Sequence, residues 1–122
     1  MLSRPHGRIF VATEPTDLRK SFDGLAALVA GRFGRNVFDG DYFVFANRRS
    51  SQLRILYWDR DGYAIWMKRL EAGTFRRPSS ASPSTDHVLE IDIARLTLML
   101  EGVDAKVITK RHRYSREELT LR

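Results

Sequence analysis

The chain has 122 residues, no cysteine, and a formal net charge of +6 at neutral pH with a pI near 10.2. The lack of cysteine excludes disulfide bonds, thiol catalysis and thiolate metal sites, and no apolar run approaches the length of a membrane span. An N-terminus without the apolar region of a signal peptide favours a cytoplasmic protein with no membrane partner. Length and hydrophobic content predict one ordinary domain.

The first predicted elements are a short strand and an amphipathic helix. Residues Arg8 to Ala12 form a β-prone run. From Ser21 to Phe33 the apolar residues recur at three- and four-residue spacing, which predicts a helix that buries one face. Thr16 or Ser21 is expected to cap the start of this helix, and Gly34 to end it.

Three further strands are predicted in the middle of the chain. Tyr42 to Ala46, Leu53 to Trp58 and Tyr63 to Arg69 are rich in aromatic and β-branched residues, and turn residues bound them. The connection from Asp59 to Gly62 predicts a hairpin between the last two strands, with Gly62 at a position of positive φ. These strands should therefore pair antiparallel.

The C-terminal third combines polar segments with two short predicted elements. Pro78 to Asp86 is almost wholly small and polar, so a linker is predicted there. Val88 to Ile93 is predicted to begin as a strand, and a short apolar helix that could cover the sheet follows and ends at Gly102. Lys110 to Arg122 is highly charged and is expected to be frayed or extended.

Together these elements predict an α+β fold, in which a small, mostly antiparallel sheet carries a covering amphipathic helix and a short C-terminal helix. We expect one domain over residues 1–104, with a polar linker near residues 78–87. Residues 105–122 are expected to form a basic, flexible tail.

The positive charge is concentrated in two segments of the chain. Arg48 to Arg77 contains eight basic and three acidic residues, and residues 106–122 contain six basic and two acidic residues. Clustered cations are typical of a protein that binds a polyanion, since they displace counterions from phosphates. Arginine outnumbers lysine, 17 to 4, which favours bidentate contact with phosphate or guanine. An anionic membrane or an acidic protein would also fit this pattern.

No constellation of residues predicts catalysis or a cofactor. The aspartates are numerous, but most fall at predicted turns or helix starts, where local hydrogen bonding explains them. The three histidines are scattered without zinc-ligand spacing. No phosphate-binding glycine loop and no serine nucleophile with a general base is present. We therefore expect a non-enzymatic protein without a metal site.

The candidate DNA-binding residues are basic residues that a hairpin could gather on one surface. They are Arg48, Arg49, Arg54, Lys68, Arg69, Arg76 and Arg77, with Lys110, Arg111 and Arg113 in the tail. For these cations the competing interpretation is a solvated face or structural ion pairs, such as Arg19 with Asp23 at the i, i+4 spacing.

Aromatic residues alternate with these cations along the predicted hairpin. Tyr57, Trp58, Tyr63 and Trp66 would stack on bases in a single-stranded nucleic-acid binder. Large rings in strands are more often core residues, and we expect Trp58 and Trp66 to be buried.

Three motifs resemble those of the TnpB-type accessory proteins encoded by the second open reading frame of the IS sixty-six class of bacterial insertion sequences. The first runs from Thr16 to Leu25, the second from Phe45 to Pro78, and the third from Leu96 to Asp104. The motif residues that we single out are Asp17, Arg19, Lys20, Asp23, Gly24, Asn47, Trp58, Asp59, Gly62, Glu71 and Gly102. Arg77 departs from the family pattern, which often has an aromatic residue there.

This resemblance implies a non-catalytic accessory role in DNA transposition beside a separate transposase. Two functions remain open. The protein could contact DNA, at transposon ends or without specificity, through the Arg48 to Arg77 surface. Alternatively, it could be an adaptor that binds the transposase or another accessory protein through a sheet edge or the Leu96 to Leu100 helix. An RNA-binding or regulatory module is a third possibility.

Overall fold

The computed structural model describes residues 7–76 and 87–102, which form a five-stranded sheet between two helical layers. In chain order the elements are β1 (Ile9–Ala12), α1 (Phe22–Leu28) with a π-helical turn (Val29–Phe33), a 3₁₀ turn (Val37–Asp39), β2 (Tyr42–Ala46), β3 (Gln52–Asp59), β4 (Gly62–Arg69), β5 (Val88–Ile91) and α2 (Ile93–Glu101). The predicted strands agree with these bounds to within two residues at each end.

The strands are arranged in the order β4-β3-β2-β1-β5. The pairs β1–β5, β2–β3 and β3–β4 are antiparallel, whereas β1 and β2 are parallel, with Ile9 opposite Tyr42. A parallel pair needs a crossover connection, and α1 with the two turns that follow it supplies that connection. The mostly antiparallel α+β fold predicted from the sequence is confirmed.

At the central strands β1 and β2 both faces of the sheet are buried, because each face packs against one helical layer. Side chains alternate between the faces of a strand, so Phe43 and Phe45 point towards α1 while Tyr42 and Val44 point towards α2. The α1 side contains Phe10, Leu18, Leu25, Val29, Val37, Phe43, Phe45 and Leu56. The α2 side contains Ile9, Val11, Tyr42, Val44, Leu53, Ile55, Ile91, Leu96 and Met99.

The predicted first helix is confirmed, and Gly34 ends it. Leu25 and Val29 lie one turn apart and are fully buried, which explains why this face of the helix packs on the sheet. Gly34 adopts the left-handed conformation with φ of 64°, a common helix end that glycine adopts without steric cost. Ser21 precedes the first turn, but its side chain makes no capping hydrogen bond.

The hairpin between β3 and β4 is present, but the expected role of Gly62 is wrong. Asp59 pairs directly with Gly62, so the loop consists of only Arg60 and Asp61. The positive φ, 56°, belongs to Arg60, and Gly62 is already part of β4. The loop is shorter than predicted because the pairing of β3 with β4 continues to Asp59 and Gly62. The turn residues alone do not indicate how far this pairing extends.

The second helix covers the other face of the sheet and ends where it was predicted to end. Its start is capped by Asp92, whose carboxylate accepts a hydrogen bond of 2.8 Å from the N–H of Arg95. Gly102 follows the helix with φ of 77°, and a Cβ at this position would lie 2.9 Å from a methyl carbon of Leu70. Close approach and backbone conformation therefore both favour glycine here.

The predicted polar linker and basic tail lie largely outside the described residues, as does the boundary proposed near residue 104. These remain predictions. In the part of the chain that is described, no helix is long and apolar enough to cross a membrane.

Candidate nucleic-acid interface

The turn between β2 and β3 carries two exposed arginines, and the side chain of Asn47 holds its shape. The amide oxygen of Asn47 accepts hydrogen bonds from the N–H groups of Ser51 and Gln52, at 2.9 and 3.0 Å. Its amide nitrogen donates to the hydroxyl of Ser51 at 3.1 Å. Arg48 and Arg49 occupy the tip of this turn and are exposed. Their backbone positions are therefore fixed although their side chains extend into solvent.

The segment before α1 lies against this turn and forms a cleft with it. The N–H of Thr16 donates to the carbonyl of Ala46 at 2.8 Å, and the Arg54 guanidinium donates to the carbonyl of Lys20 at 3.3 Å. These two bonds tie the segment to β2 and β3. The resulting cleft has a volume of about 540 Å³. Its basic lining residues are Arg19, Arg48, Arg49 and Arg54.

One acidic residue, Asp17, also lines the cleft and forms an ion pair with Arg19. The Arg19 guanidinium donates to both carboxylate oxygens of Asp17, with a shortest distance of 2.9 Å. Hydrogen bonds from the Arg19 side chain and backbone lower the pKa of Asp17 to about 2. The Arg19 side chain is still 91% exposed, so its outer face remains accessible. The expected pair of Arg19 with Asp23 is wrong, because Arg19 lies before the helix and contacts the nearer carboxylate.

The cleft continues along β3 and β4 into a wider basic surface. A second depression of about 370 Å³ shares Gln52 and Arg54 with the cleft, and its other lining residues are Leu53, Met67, Lys68, Arg69 and Glu71. The N–H of Phe75 donates to the carbonyl of Ser50 at 2.7 Å, which places the adjacent Arg76 near the same turn. We call the arginines of the cleft, the depression and the adjoining turn the basic surface. They are Arg19, Arg48, Arg49, Arg54, Arg69 and Arg76.

Not every candidate cation is free on this surface. Lys68 lines the second depression with Arg54 and Arg69, but its ammonium group donates to the carbonyl of Leu100 at 2.9 Å. It therefore binds the C-terminal end of α2, where a cation is favoured by the helix dipole. Arg69 contacts Glu71 at 3.3 Å, and both side chains are largely exposed. The remaining candidates lie outside the described residues: Arg77, Lys110, Arg111 and Arg113.

The aromatic residues of the hairpin lie away from the basic surface or inside the fold. Trp66 and Tyr57 pack on the α2 side of the core, and Tyr57 lies 5.1 Å from the ring of Tyr42. Trp58 is half-buried on the α1 side, at the far end of β3, beside Tyr63. Trp66 is also half-buried. The expectation that Trp58 and Trp66 are buried is thus correct only in part, because β3 and β4 lie at one edge of the sheet.

The remaining motif residues support the fold around the cleft. Asp23 lies in the first turn of α1. Gly24 leaves room for Lys20, since a Cβ at residue 24 would lie 3.0 Å from the Lys20 Cβ. Asp59 closes the β3–β4 hairpin. The sequence motifs thus map to turns and contacts of the backbone as well as to the cleft.

The carboxylates of the described residues do not converge on a metal site. Asp41 is 3% exposed, and its oxygens accept hydrogen bonds from the N–H of Arg8 at 2.8 Å and the Arg35 guanidinium at 3.3 Å. Asp39 and Asp61 lie in turns, and Asp59 is the last residue of β3. Over residues 7–76 and 87–102, no group of three or more His, Asp or Glu side chains is placed to hold a metal ion. The buried role of Asp41 was missed, because in sequence it looks like another turn residue.

Replacing Asn47 tests whether this side chain holds the arginine-bearing turn. Asn47→Ala is expected to lower the free energy of unfolding by about 2 kcal/mol, since two backbone N–H groups lose their acceptor. Asn47→Asp keeps an acceptor for both N–H groups and is expected to cost less than about 1 kcal/mol. Urea unfolding of both variants, followed by circular dichroism, measures the difference. Equal losses would show that the side-chain oxygen does not hold the turn.

Comparisons with known proteins agree with the motifs that line the cleft. A family model described as "IS66 Orf2 like protein" matches residues 7–110. A protein of Sinorhizobium fredii (strain NBRC 101917 / NGR234) described as "Uncharacterized protein y4jC" is 38% identical over 97 residues, which cover 80% of each chain. Another from the same organism, "Uncharacterized protein y4hO", is 35% identical over 97 residues, covering 80% of this chain and 81% of that protein. No solved structure matches the chain.

Proposed function

Because the chain belongs to the family of IS66 Orf2-like accessory proteins of transposition, we propose that it assists transposition of an insertion sequence by contacting DNA through the basic surface. In this role the protein binds DNA phosphates with its positive charge and takes no part in bond cleavage. The chemical steps of strand cleavage and joining belong to a separate transposase.

The observation that carries this proposal is the pair Arg48 and Arg49 at the tip of a fixed turn. Both side chains are exposed, and among the described residues neither forms an ion pair. A guanidinium group without a carboxylate partner is free to donate two hydrogen bonds to one phosphate. Because Asn47 already holds the turn, binding would order only the side chains and would cost less conformational entropy.

The shape of the basic surface favours the DNA backbone as its target. The cations line an open cleft and a shallow depression that adjoin each other at Arg54. Contacts of this kind position a protein on a duplex, whereas sequence is read by side chains that enter a groove. Arg48 and Arg49 are exposed in the turn beyond the paired residues of β2 and β3, and are the residues best placed to reach beyond the phosphates.

The adaptor function remains a second proposal, because apolar side chains are exposed elsewhere. On α2, Leu96 is buried against the sheet, which leaves Leu98 as an exposed apolar residue of that helix. On β4, which is an edge strand, Met67 is 63% exposed. An edge strand with free backbone groups can pair with a strand of another protein. Binding of a transposase to this edge would cover the depression that Met67 and Arg69 line, and would leave Arg48 and Arg49 accessible at the turn.

Fluorescence anisotropy tests the proposed DNA contact. The purified chain is titrated into a labelled duplex with the terminal inverted repeat of its element, and into a scrambled duplex of equal length, across a salt series. Binding whose log affinity falls linearly with log salt concentration is expected. Preference for the repeat would assign end recognition, and equal affinity would assign a backbone tether. No binding to either duplex at physiological salt would overturn the DNA contact and leave the adaptor proposal.

A further inference from the structure

An aromatic cluster lies at the end of the molecule opposite to the Asn47 turn. Phe38 from the 3₁₀ turn packs edge-on against Trp58 of β3, with a ring-centroid distance of 4.5 Å. Trp58 in turn packs edge-on against Tyr63 of β4 at 5.3 Å. Phe38 is 56% exposed and Tyr63 is 36% exposed. Three rings from three elements therefore form one continuous apolar patch that is open to solvent.

The patch is rigid because hydrogen bonds hold the elements that carry it. The Asn36 side chain accepts a hydrogen bond of 2.9 Å from the N–H of Phe38, which caps the 3₁₀ turn. The indole N–H of Trp58 donates to the carbonyl of Arg60 at 3.1 Å, which fixes the ring against the hairpin loop. Rigid, exposed Trp and Tyr rings are typical of the anchors of protein interfaces, because they bury a large area at low entropic cost.

Three aspartates are close neighbours of the patch residues in the chain. Asp39 follows Phe38 directly, Asp59 follows Trp58 at the end of β3, and Asp61 lies in the two-residue loop before β4. All three are exposed, and within residues 7–76 and 87–102 none forms an ion pair. Arg60 is the one cation between them in the chain, so the rim retains negative charge. A nucleic-acid backbone would be repelled at this end of the molecule.

We propose that this patch, defined by Phe38, Trp58 and Tyr63 with Asp39, Asp59 and Asp61, is a docking surface for another protein. Its partner is a segment that presents an apolar side chain between lysines or arginines. The apolar side chain packs on the three rings, and its basic neighbours meet the acidic rim. Charge complementarity of this kind selects the partner and its orientation. The inference does not depend on DNA contact, because the basic surface lies at the other end of β3 and β4.

NMR spectroscopy of the ¹⁵N-labelled full chain tests the proposal with two blocked pentapeptides as probes. The basic probe is Lys-Lys-Leu-Lys-Lys, and the acidic probe is Glu-Glu-Leu-Glu-Glu. We expect the basic peptide to shift the amide signals of residues 37–40 and 58–63, and the acidic peptide to leave them unchanged. Lack of shifts with the basic peptide at millimolar concentration, or equal shifts with both peptides, would overturn the proposal.

Two variants separate the contributions of the rings and of the acidic rim. Phe38→Ala is expected to weaken binding of the basic peptide about tenfold or more, as for an interface anchor. Asp59→Asn combined with Asp61→Asn keeps the rings and is expected to weaken binding about fivefold, since two favourable charges are removed. Met67→Ala is the matched control, because Met67 is exposed on β4, the strand that carries Tyr63, but lies away from the acidic rim. It should bind the peptide normally.

Two results would assign the patch to a different occupant and overturn the proposal. Oligothymidylate that shifts the same amide signals would identify a base-stacking surface. Concentration-dependent self-association in analytical ultracentrifugation, abolished by Phe38→Ala, would identify a second copy of this chain as the occupant. Replacement of Arg48 and Arg49 by glutamate is expected to weaken DNA binding and to leave binding of the basic peptide unchanged, so failure of one proposal is distinguishable from failure of the other.

Discussion

Reversing the charge of both Arg48 and Arg49 to glutamate is expected to lower affinity for duplex DNA by about a hundredfold at low salt. Each arginine is positioned to neutralise one phosphate, and each glutamate adds repulsion in its place. The slope of log affinity against log salt concentration should become shallower by about 2, since each lost phosphate contact removes about 0.9. Anisotropy titrations across a salt series measure both quantities on the same protein.

The matched control for this variant reverses two exposed arginines outside the basic surface. Arg60 lies at the far hairpin, and Arg95 lies in the first turn of α2, where a glutamate is favoured by the helix dipole. The double variant Arg60→Glu, Arg95→Glu has the same net charge as the double variant at Arg48 and Arg49. If both weakened binding equally, the net charge of the protein would explain affinity and the basic surface would not.

Truncating Phe43 to alanine is expected to lower the free energy of unfolding by about 4 kcal/mol. Phe43 has no exposed surface, and its ring lies 5.9 Å from that of Phe10 and 5.3 Å from that of Phe33. The truncation removes one of two ring contacts between the central strand β2 and the π-helical turn after α1, and the contact of Phe45 with Phe33 remains. Urea unfolding monitored by far-ultraviolet circular dichroism measures the loss.

Phe38→Ala is the matched control for the truncation of Phe43. The same atoms are removed, but Phe38 is mostly exposed, so the expected loss is below about 1 kcal/mol. A loss at Phe38 as large as that at Phe43 would show that the aromatic patch supports the fold. In that case the variant could not report on docking, and the variant at Asp59 and Asp61 would have to carry that test.

Elements with strong local patterns were predicted well from the sequence. Tyr42–Ala46 was predicted with its exact bounds, since its aromatic and β-branched residues are followed directly by turn residues. Gly34 and Gly102 were predicted as helix ends, because a positive φ there favours glycine. The pairing of strands was not predictable in this way. The parallel pair β1–β2 joins residues more than thirty positions apart, and no turn residue specifies such a pair.

The sequence predicted most of the cations of the candidate interface, but not how the chain brings them together. Arg48, Arg49 and Arg54 lie on one surface, as hairpin geometry suggested. Lys68 lies beside Arg54 and Arg69 at the second depression, but its ammonium group binds the carbonyl of Leu100, which the sequence did not indicate. Asp17 and Arg19 were singled out as motif residues, but their position at the cleft was not predicted, since the spacing of residues along the chain does not show that the segment before α1 packs against the turn.

The position of β1 has a consequence for the order in which this chain can fold. β1 lies between β2 and β5, and the contact of Arg8 with Glu90 spans 82 positions. During synthesis, β1 can pair with β2 long before β5 and α2 emerge, and until then its outer backbone groups remain unpaired. Contacts of such high sequence separation form slowly, and an open strand edge is the structure from which aggregation begins. A chain broken between β4 and β5 would retain the entire basic surface and still be a poor candidate for a stable fragment.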